Sequence, residues 1–113
     1  MKKVEAFIKR DRIDAVSRAV HHVDGVTGMT LTDARGFGRG HTGDEVHPSE
    51  EMIHDFHDVA RIEVFCRDEI AEPVISAIEQ AAHTGLRGDG KVYVLPVEKA
   101  LRISSGERGE AAV

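Results

Sequence analysis

Hydrophobic and polar residues alternate in four short segments of this chain. These segments lie at residues 4–9, 28–35, 61–67 and 91–96, and the first of them is rich in Val, Phe and Ile. Alternation of this kind over a few residues, bounded by Gly, Pro or Asp, predicts β-strands that bury one face. The sequence therefore predicts four strands.

Two helices are predicted between these strands, because hydrophobic residues recur there at helical spacing. They are Ile13, Val16, Ala19, Val20 and Val23 in the first segment, and Ile70, Val74, Ile75, Ile78 and Ala82 in the second. Asp11 and Asp68 precede these segments and are predicted to be their N-caps. Gly25 is predicted to end the first helix, and Pro73 falls in the first turns of the second, where its missing N–H is tolerated.

The order of the predicted elements is strand, helix, strand, strand, helix, strand. This is the βαββαβ pattern of a ferredoxin-like α+β domain, with a four-stranded antiparallel sheet and both helices on one face. The other face would be uncovered, and self-association is the simplest way for so short a chain to cover it.

Residues 36–58, between the second and third strands, have no sustained period. A loop of about 20 residues is far longer than most connections in a small domain, and such loops are usually either functional or disordered. The segment holds four Gly, one Pro and four His among many acids.

Composition limits the class of protein and its partners. The 113 residues form one domain, and 41% hydrophobic with 31% charged residues is typical of a soluble globular protein. The sequence predicts neither a membrane span nor a signal peptide, and a single cysteine, Cys66, fits the cytoplasm. Cys66 is expected to be a buried packing residue. The net charge of -5 argues against nucleic acid but leaves room for a small anionic ligand.

Three glycine-rich motifs are candidates for anion binding. They are Arg-Gly-Phe-Gly-Arg at residues 35–39, Thr-Gly-Leu-Arg-Gly-Asp-Gly-Lys at 84–91 and the tail around Arg102. Glycines allow the backbone N–H groups to approach a phosphate, and Arg or Lys adds charge. Each motif also has a plainer interpretation, as a tight turn, a helix-to-strand connection and an exposed chain end.

Taken together, these motifs resemble those of the PII family of signal transducers over the whole chain. The opening Met-Lys-Lys-Val-Glu-Ala, the Gly-Phe-Gly-Arg at residues 36–39, the Gly-Asp-Gly-Lys at 88–91 and the Gly-Glu-Arg-Gly at 106–109 carry the resemblance. The resemblance implies a homotrimer with nucleotide sites in the clefts between subunits. It also implies that the long loop, here about residues 37–58 and called the T-loop in this family, docks on a transporter, enzyme or regulator. Residues from about 98 to 113 would form the C-terminal tail.

The resemblance further implies that an adenine nucleotide (ADP, AMP or ATP) is bound. The positions that it implies for nucleotide binding are Ile8, Gly28, Met29, Thr30, Gly36, Phe37, Gly38, Arg39, Val64, Gly88, Asp89, Gly90, Lys91 and Arg102. Lys91, Arg39 and Arg102 would face the phosphates, and the apolar Ile8 and Val64 the purine.

Three positions depart from the family's pattern. Ser104 stands where a second C-terminal Arg is usual, which predicts either a preference for fewer phosphates or weaker binding. Gly40 stands where nitrogen-sensing members have a Gln that helps organise Mg-ATP and 2-oxoglutarate. Met52 stands where many relatives have a uridylylated Tyr. The sequence therefore predicts a divergent member and not a typical 2-oxoglutarate and uridylylation sensor.

Histidines cluster in the long loop, at His41, His47, His54 and His57, among several carboxylates. Imidazole and carboxylate together suit Zn, Ni, Cu or Co. A divalent-metal site that makes this a metal-responsive protein is therefore the alternative function. The competing interpretation is a polar loop whose histidines are solvated or meet a partner protein.

The leading prediction is a cytoplasmic regulator, not an enzyme. It would bind an adenine nucleotide and control a membrane transporter or a regulatory protein through the T-loop, without itself entering the membrane. A slow ATPase is disfavoured by Gly40, because glycine has no side-chain oxygen for the metal.

Overall fold

The chain forms a four-stranded antiparallel sheet with two helices, described by a computed structural model for residues 1–38 and 56–113. The strands are β1 (Lys2–Lys9), β2 (Thr30–Gly36), β3 (His57–Cys66) and β4 (Gly90–Pro96), and the helices are α1 (Ile13–His21) and α2 (Asp68–Ala82). Short 3-10 turns lie at Arg10–Arg12 and Gly109–Ala112. The sheet order is β2-β3-β1-β4, so the predicted ferredoxin-like α+β fold is confirmed.

The core fills the space between the two helices and one face of the sheet. It comprises alternate residues of β1 and β3 and the inner faces of α1 and α2: Val4, Ala6, Ile8, Val16, Val20, Ala60, Ile62, Val64, Cys66, Ala71, Val74, Ile78 and Ala82. Cys66 is 1% exposed, and burial raises the pKa of its thiol. Its predicted role as a packing residue is confirmed.

The opposite face of the sheet, here called the open face, carries the other half of each strand. In the strand register, Lys3 lies between Phe65 and Leu95, Glu5 between Glu63 and Tyr93, and Phe7 between Arg61 and Lys91. Neither helix belongs to this face, because side chains alternate across a strand and the core residues point the other way. The open face mixes large apolar side chains with paired charges.

The predicted helix caps are wrong. Asp11 lies inside the 3-10 turn that follows β1, and α1 has Arg12 as its N-cap, with no side-chain cap hydrogen bond. Asp68 is the first residue of α2, after Arg67 as N-cap, and its carboxylate accepts a hydrogen bond from the Met1 amine at 2.7 Å. At Asp68 the distant Met1 amine occupies the carboxylate, which local sequence does not show.

Helix α1 ends at His21, four residues before the predicted stop at Gly25. Gly25 instead makes the turn towards β2, with φ at +92°, and a Cβ there would lie 2.6 Å from Ile70 Cδ1. Arg12, just before α1, binds the C-terminal end of α2: its Nε and Nη2 donate to the Ala81 carbonyl at 2.9 and 2.6 Å. The segments that flank α1 are therefore packed closely against α2.

The loop and strand limits also differ from those predicted. β3 begins at His57, so the long loop stops before residue 58, and β2 begins at Thr30 and not at Gly28. The C-terminal tail is folded back and not simply extended. Leu101 forms a β-bridge with Arg108, Arg102 N donates to Glu107 O at 2.9 Å, and Val97 N donates to Met1 O at 3.1 Å. The tail therefore packs beside the start of β1.

Candidate functional site

A cavity of about 540 Å³ lies where β1 ends and β4 begins, and we call it the glycine cavity. Eight of the predicted nucleotide residues line it: Ile8, Gly36, Phe37, Gly38, Gly88, Asp89, Gly90 and Lys91. Two of the three glycine-rich motifs, about 50 residues apart in sequence, thus meet at one end of the sheet. This convergence favours a binding site over two unrelated turns.

Gly90 is required by the close approach of two strands. Its φ is +107°, and a Cβ built there would lie 1.7 Å from the Phe7 carbonyl oxygen. Only glycine fits, because a side chain would overlap the backbone of β1. The same loop has positive φ at Gly85 and Gly88, so its backbone turns tightly before the chain enters β4 at Gly90 and Lys91.

The carboxylate of Asp89 builds this loop. It accepts hydrogen bonds from Thr84 N at 2.8 Å and Gly85 N at 3.3 Å, and the Thr84 hydroxyl also donates to it. Lys9 Nζ lies 3.2 Å from the same carboxylate. The hydrogen bonds from Thr84, more than the nearby charge of Lys9, hold the pKa of Asp89 well below its usual range. Asp89 thus positions Gly88, Gly90 and Lys91.

We expect Asp89→Asn to lower the melting temperature near neutral pH, because the carboxylate is replaced by an amide that must direct N–H groups towards existing donors. The folded-state pKa lies below the ordinary value, so the carboxylate's contribution is present above about pH 4 and fades as the pH falls further. Thermal unfolding of both proteins should therefore show a melting-temperature difference that is constant from pH 7 to about pH 5 and narrows as the pH falls below about 4. A melting-temperature difference that stays constant with pH would contradict this role.

The glycine cavity combines one cation with aromatic walls. Lys91 is the positively charged side chain among its described lining residues, and Lys9 nearby is balanced by Asp89. The Phe7 and Tyr93 rings meet edge to face at 6.4 Å, and the Phe37 and Phe56 rings do so at 5.3 Å. Such a site can take a planar apolar group and an anionic group together.

The remaining predicted residues within the described ranges lie at the other end of the sheet. Thr30 pairs with Glu63, whereas Gly36 pairs with His57, so six residues of β2, about 20 Å, separate the two ends. Gly28 and Met29 border another cavity, of about 600 Å³, beside α1. Arg102 is exposed in the tail that packs near the start of β1. Within one chain, one nucleotide cannot reach both groups.

Two predicted apolar contacts are placed differently from the expectation. The Val64 side chain is 0% exposed and that of Ile8 is 2% exposed, so both belong to the core beneath the helices. The main chain of Ile8 lies near the end of β1, and that of Val64 lies near the end of β3. β2 pairs with β3 only as far as Thr30 and Glu63, so residues 64–66 lie beyond the last partner on that side. At this end of the sheet, a ligand could contact the main chain of β3 but not the buried Val64 side chain.

Comparison with known proteins places the chain in a family. A sequence model described as "Nitrogen regulatory protein P-II" matches residues 1–107. Curated proteins of that name from Azospirillum brasilense, Rhodospirillum rubrum and Haemophilus influenzae are 49%, 46% and 44% identical, each over 100% of both chains. This chain belongs to the P-II family. It is therefore a signalling regulator, and P-II proteins act through regulatory partners.

Three lining residues of this P-II chain were not predicted from sequence: Phe7, Val59 and Tyr93. A signal for them was present. Phe7 lies opposite Lys91 in the register, and Tyr93 follows Lys91 by two residues. Val59 lies opposite Lys9, two residues after Phe7, so Phe7, Val59 and Tyr93 share the open face. Register between distant strands would have to be known first, which is why the motifs alone missed them.

The predicted metal site is not supported. His41, His47 and His54, and likewise Arg39, Gly40 and Met52, lie outside the described residues. His57 is the first residue of β3. Within residues 1–38 and 56–113 no group of three His, Cys, Asp or Glu side chains is arranged to hold a metal ion, and no helix there is long and apolar enough to span a membrane.

Proposed function

We propose that this P-II protein binds an adenine nucleotide in clefts between the subunits of a homotrimer. One copy supplies the glycine cavity with Lys91. The adjacent copy supplies Gly28, Met29 and Thr30, the main chain at Val64, and Arg102. The separation of the predicted residues into two groups about 20 Å apart carries this proposal, because a second copy is the simplest way to bring them together.

The chemistry of each half suits a different part of the nucleotide. Lys91 and the backbone N–H groups of the loop after Gly88 suit phosphate oxygens, as does Arg102 from the other copy. The end of β3 beyond Glu63 has main-chain groups past its last β2 partner, and these suit the hydrogen-bonding edge of a purine. Phe7, Phe37 and Tyr93 give apolar surface between them.

The nucleotide would set the position of the loop between β2 and β3, since Gly36, Phe37 and Gly38 both line the glycine cavity and begin that loop. The loop would then contact a membrane transporter or a regulatory protein in the cytoplasm. Gly40, Met52 and Ser104 favour a signal other than the uridylylation and 2-oxoglutarate response of typical nitrogen sensors. Ser104 favours ADP or AMP over ATP, because it removes one cation from the phosphate end.

Isothermal titration calorimetry tests this function directly. We expect ATP, ADP or AMP to bind the wild-type protein at one site per subunit, and GTP, whose purine edge reverses the donor and acceptor pattern, to bind more weakly. Ranking the three adenine nucleotides tests the role of Ser104. An absence of binding heat for all three at millimolar concentration would reject the proposal.

A further inference from the structure

Two carboxylates lie directly opposite each other in the middle of the open face. Glu5 of β1 pairs with Glu63 of β3 in the strand register, so their side chains share one face of the sheet. Only 19% of the Glu5 side chain and 17% of the Glu63 side chain are exposed. Like charges in such a cross-strand pair are destabilising, and partial removal from water increases their repulsion.

Lys3 joins the two carboxylates. Its Nζ lies 2.6 Å from Glu5 Oε2 and 2.9 Å from Glu63 Oε2, and Arg61 Nη2 lies 3.4 Å from the other oxygen of Glu63. Hydrogen bonding to Glu5, and then to Glu63, raises the pKa of Lys3, and hydrogen bonding from Lys3 lowers the pKa of Glu63. Lys3 is thus the cation that contacts both acids.

This cluster is neutral and lies among apolar side chains. Lys3 and Arg61 balance Glu5 and Glu63, while Phe65, Tyr93 and Leu95 are 46%, 49% and 42% exposed around them. The Lys3 Nζ lies 6.0 Å from the centroid of the Phe65 ring. The other titratable groups on this face are Lys9, which pairs with Asp89, together with His57, Lys91 and Tyr93, and β2 contributes Thr30, Thr32 and Ala34. An apolar face with balanced charges loses water more readily than one that keeps a net negative charge, and without Lys3 only Arg61 would remain to balance the two carboxylates.

We propose that Lys3 is the residue that permits the open face to be buried against further copies of this chain. The occupant is a second copy because the two groups of predicted binding residues need one. By contacting both Glu5 and Glu63, Lys3 keeps that surface neutral when water leaves it. This role rests on the trimer in the proposed function and adds to it a specific determinant of assembly.

The test compares Lys3→Met with the wild type by sedimentation velocity over a range of protein concentrations. Methionine keeps the apolar stem near Phe65 and removes the charge. At pH 7.5 we expect the concentration for half-assembly to rise at least about tenfold, because Arg61 alone would remain beside two carboxylates and one net negative charge would be buried. Lys2→Met is the matched control, since Lys2 is the neighbouring residue on the other face of β1, opposite Cys66 in the register, and it should assemble like the wild type.

Two rescues make the test specific to charge. Loss of Lys3 would make Glu63 easier to protonate, so lowering the pH to 5 should restore assembly of Lys3→Met while wild-type assembly changes little. Lys3→Met combined with Glu63→Gln should assemble at pH 7.5. Assembly of Lys3→Met equal to that of the wild type, or a defect that neither rescue relieves, would overturn the role of Lys3.

The proposed function is separable from this outcome. If the wild type is monomeric at every concentration, the trimer itself is wrong and the role of Lys3 falls with it. If the wild type is trimeric and binds nucleotide but Lys3→Met assembles normally, only the role of Lys3 is wrong. Circular dichroism of each variant, which should match the wild type, shows whether a defect lies in assembly or in folding.

Discussion

Gly90→Ala should destabilise the protein by at least about 3 kcal/mol, the largest effect that we expect from a single methyl group in this chain. Two independent causes act together. The added Cβ would lie 1.7 Å from the Phe7 carbonyl oxygen and 3.3 Å from the Ile8 Cα, both of which are backbone atoms of a central strand. The residue would also have to keep a φ of +107°, which L-residues rarely adopt.

Urea unfolding of the purified variant measures this effect, with Gly36→Ala as the matched control. Gly36 lines the same cavity, but a Cβ there would meet no atom within 4 Å and its φ is not positive. We expect the control to remain within about 1 kcal/mol of the wild type. Equal stability of the two variants would show that β4 can shift away from β1 at little cost, and would contradict the requirement for glycine.

Mixing two variants of opposite halves of the cleft should restore sites of wild-type affinity, which neither variant has alone. Lys91→Met removes the cation of the glycine cavity, and Arg102→Met removes the one at the other end of the sheet. Each alone should weaken binding of the preferred nucleotide by about tenfold to a hundredfold, the value of one charge-assisted contact. If both variants are unfolded and refolded together in equal amounts, about a quarter of the clefts should combine two wild-type halves.

Calorimetry of the mixture should then show a fraction of sites with wild-type affinity. Each variant refolded by itself is the control and should show none. If the nucleotide instead lies within one subunit, every site in the mixture carries one defect, and no high-affinity fraction appears. That result would reject the cleft between subunits without rejecting nucleotide binding as such.

Much of the fold could be predicted from the sequence, because its signals are local. Alternation at residues 4–9 and helical spacing at Val74 and Ile78 report which side of each element is buried, whatever the rest of the chain does. The helix caps could not be predicted in this way. Asp68 has the right side chain in nearly the right place, yet it binds the Met1 amine, which arrives from the other end of the chain.

The same distinction between local and long-range signals applies to the candidate site. The sequence by itself determined the element order, the P-II resemblance and the motifs that meet in the glycine cavity. Only the tertiary structure decided that Thr30 and Gly36 lie at opposite ends of β2, about 20 Å apart, that Asp89 holds its own loop, and that Lys3 joins Glu5 to Glu63. The physical reason is that motifs act over a few neighbouring residues, whereas the register of β1 with β3 and β4 sets which distant side chains meet.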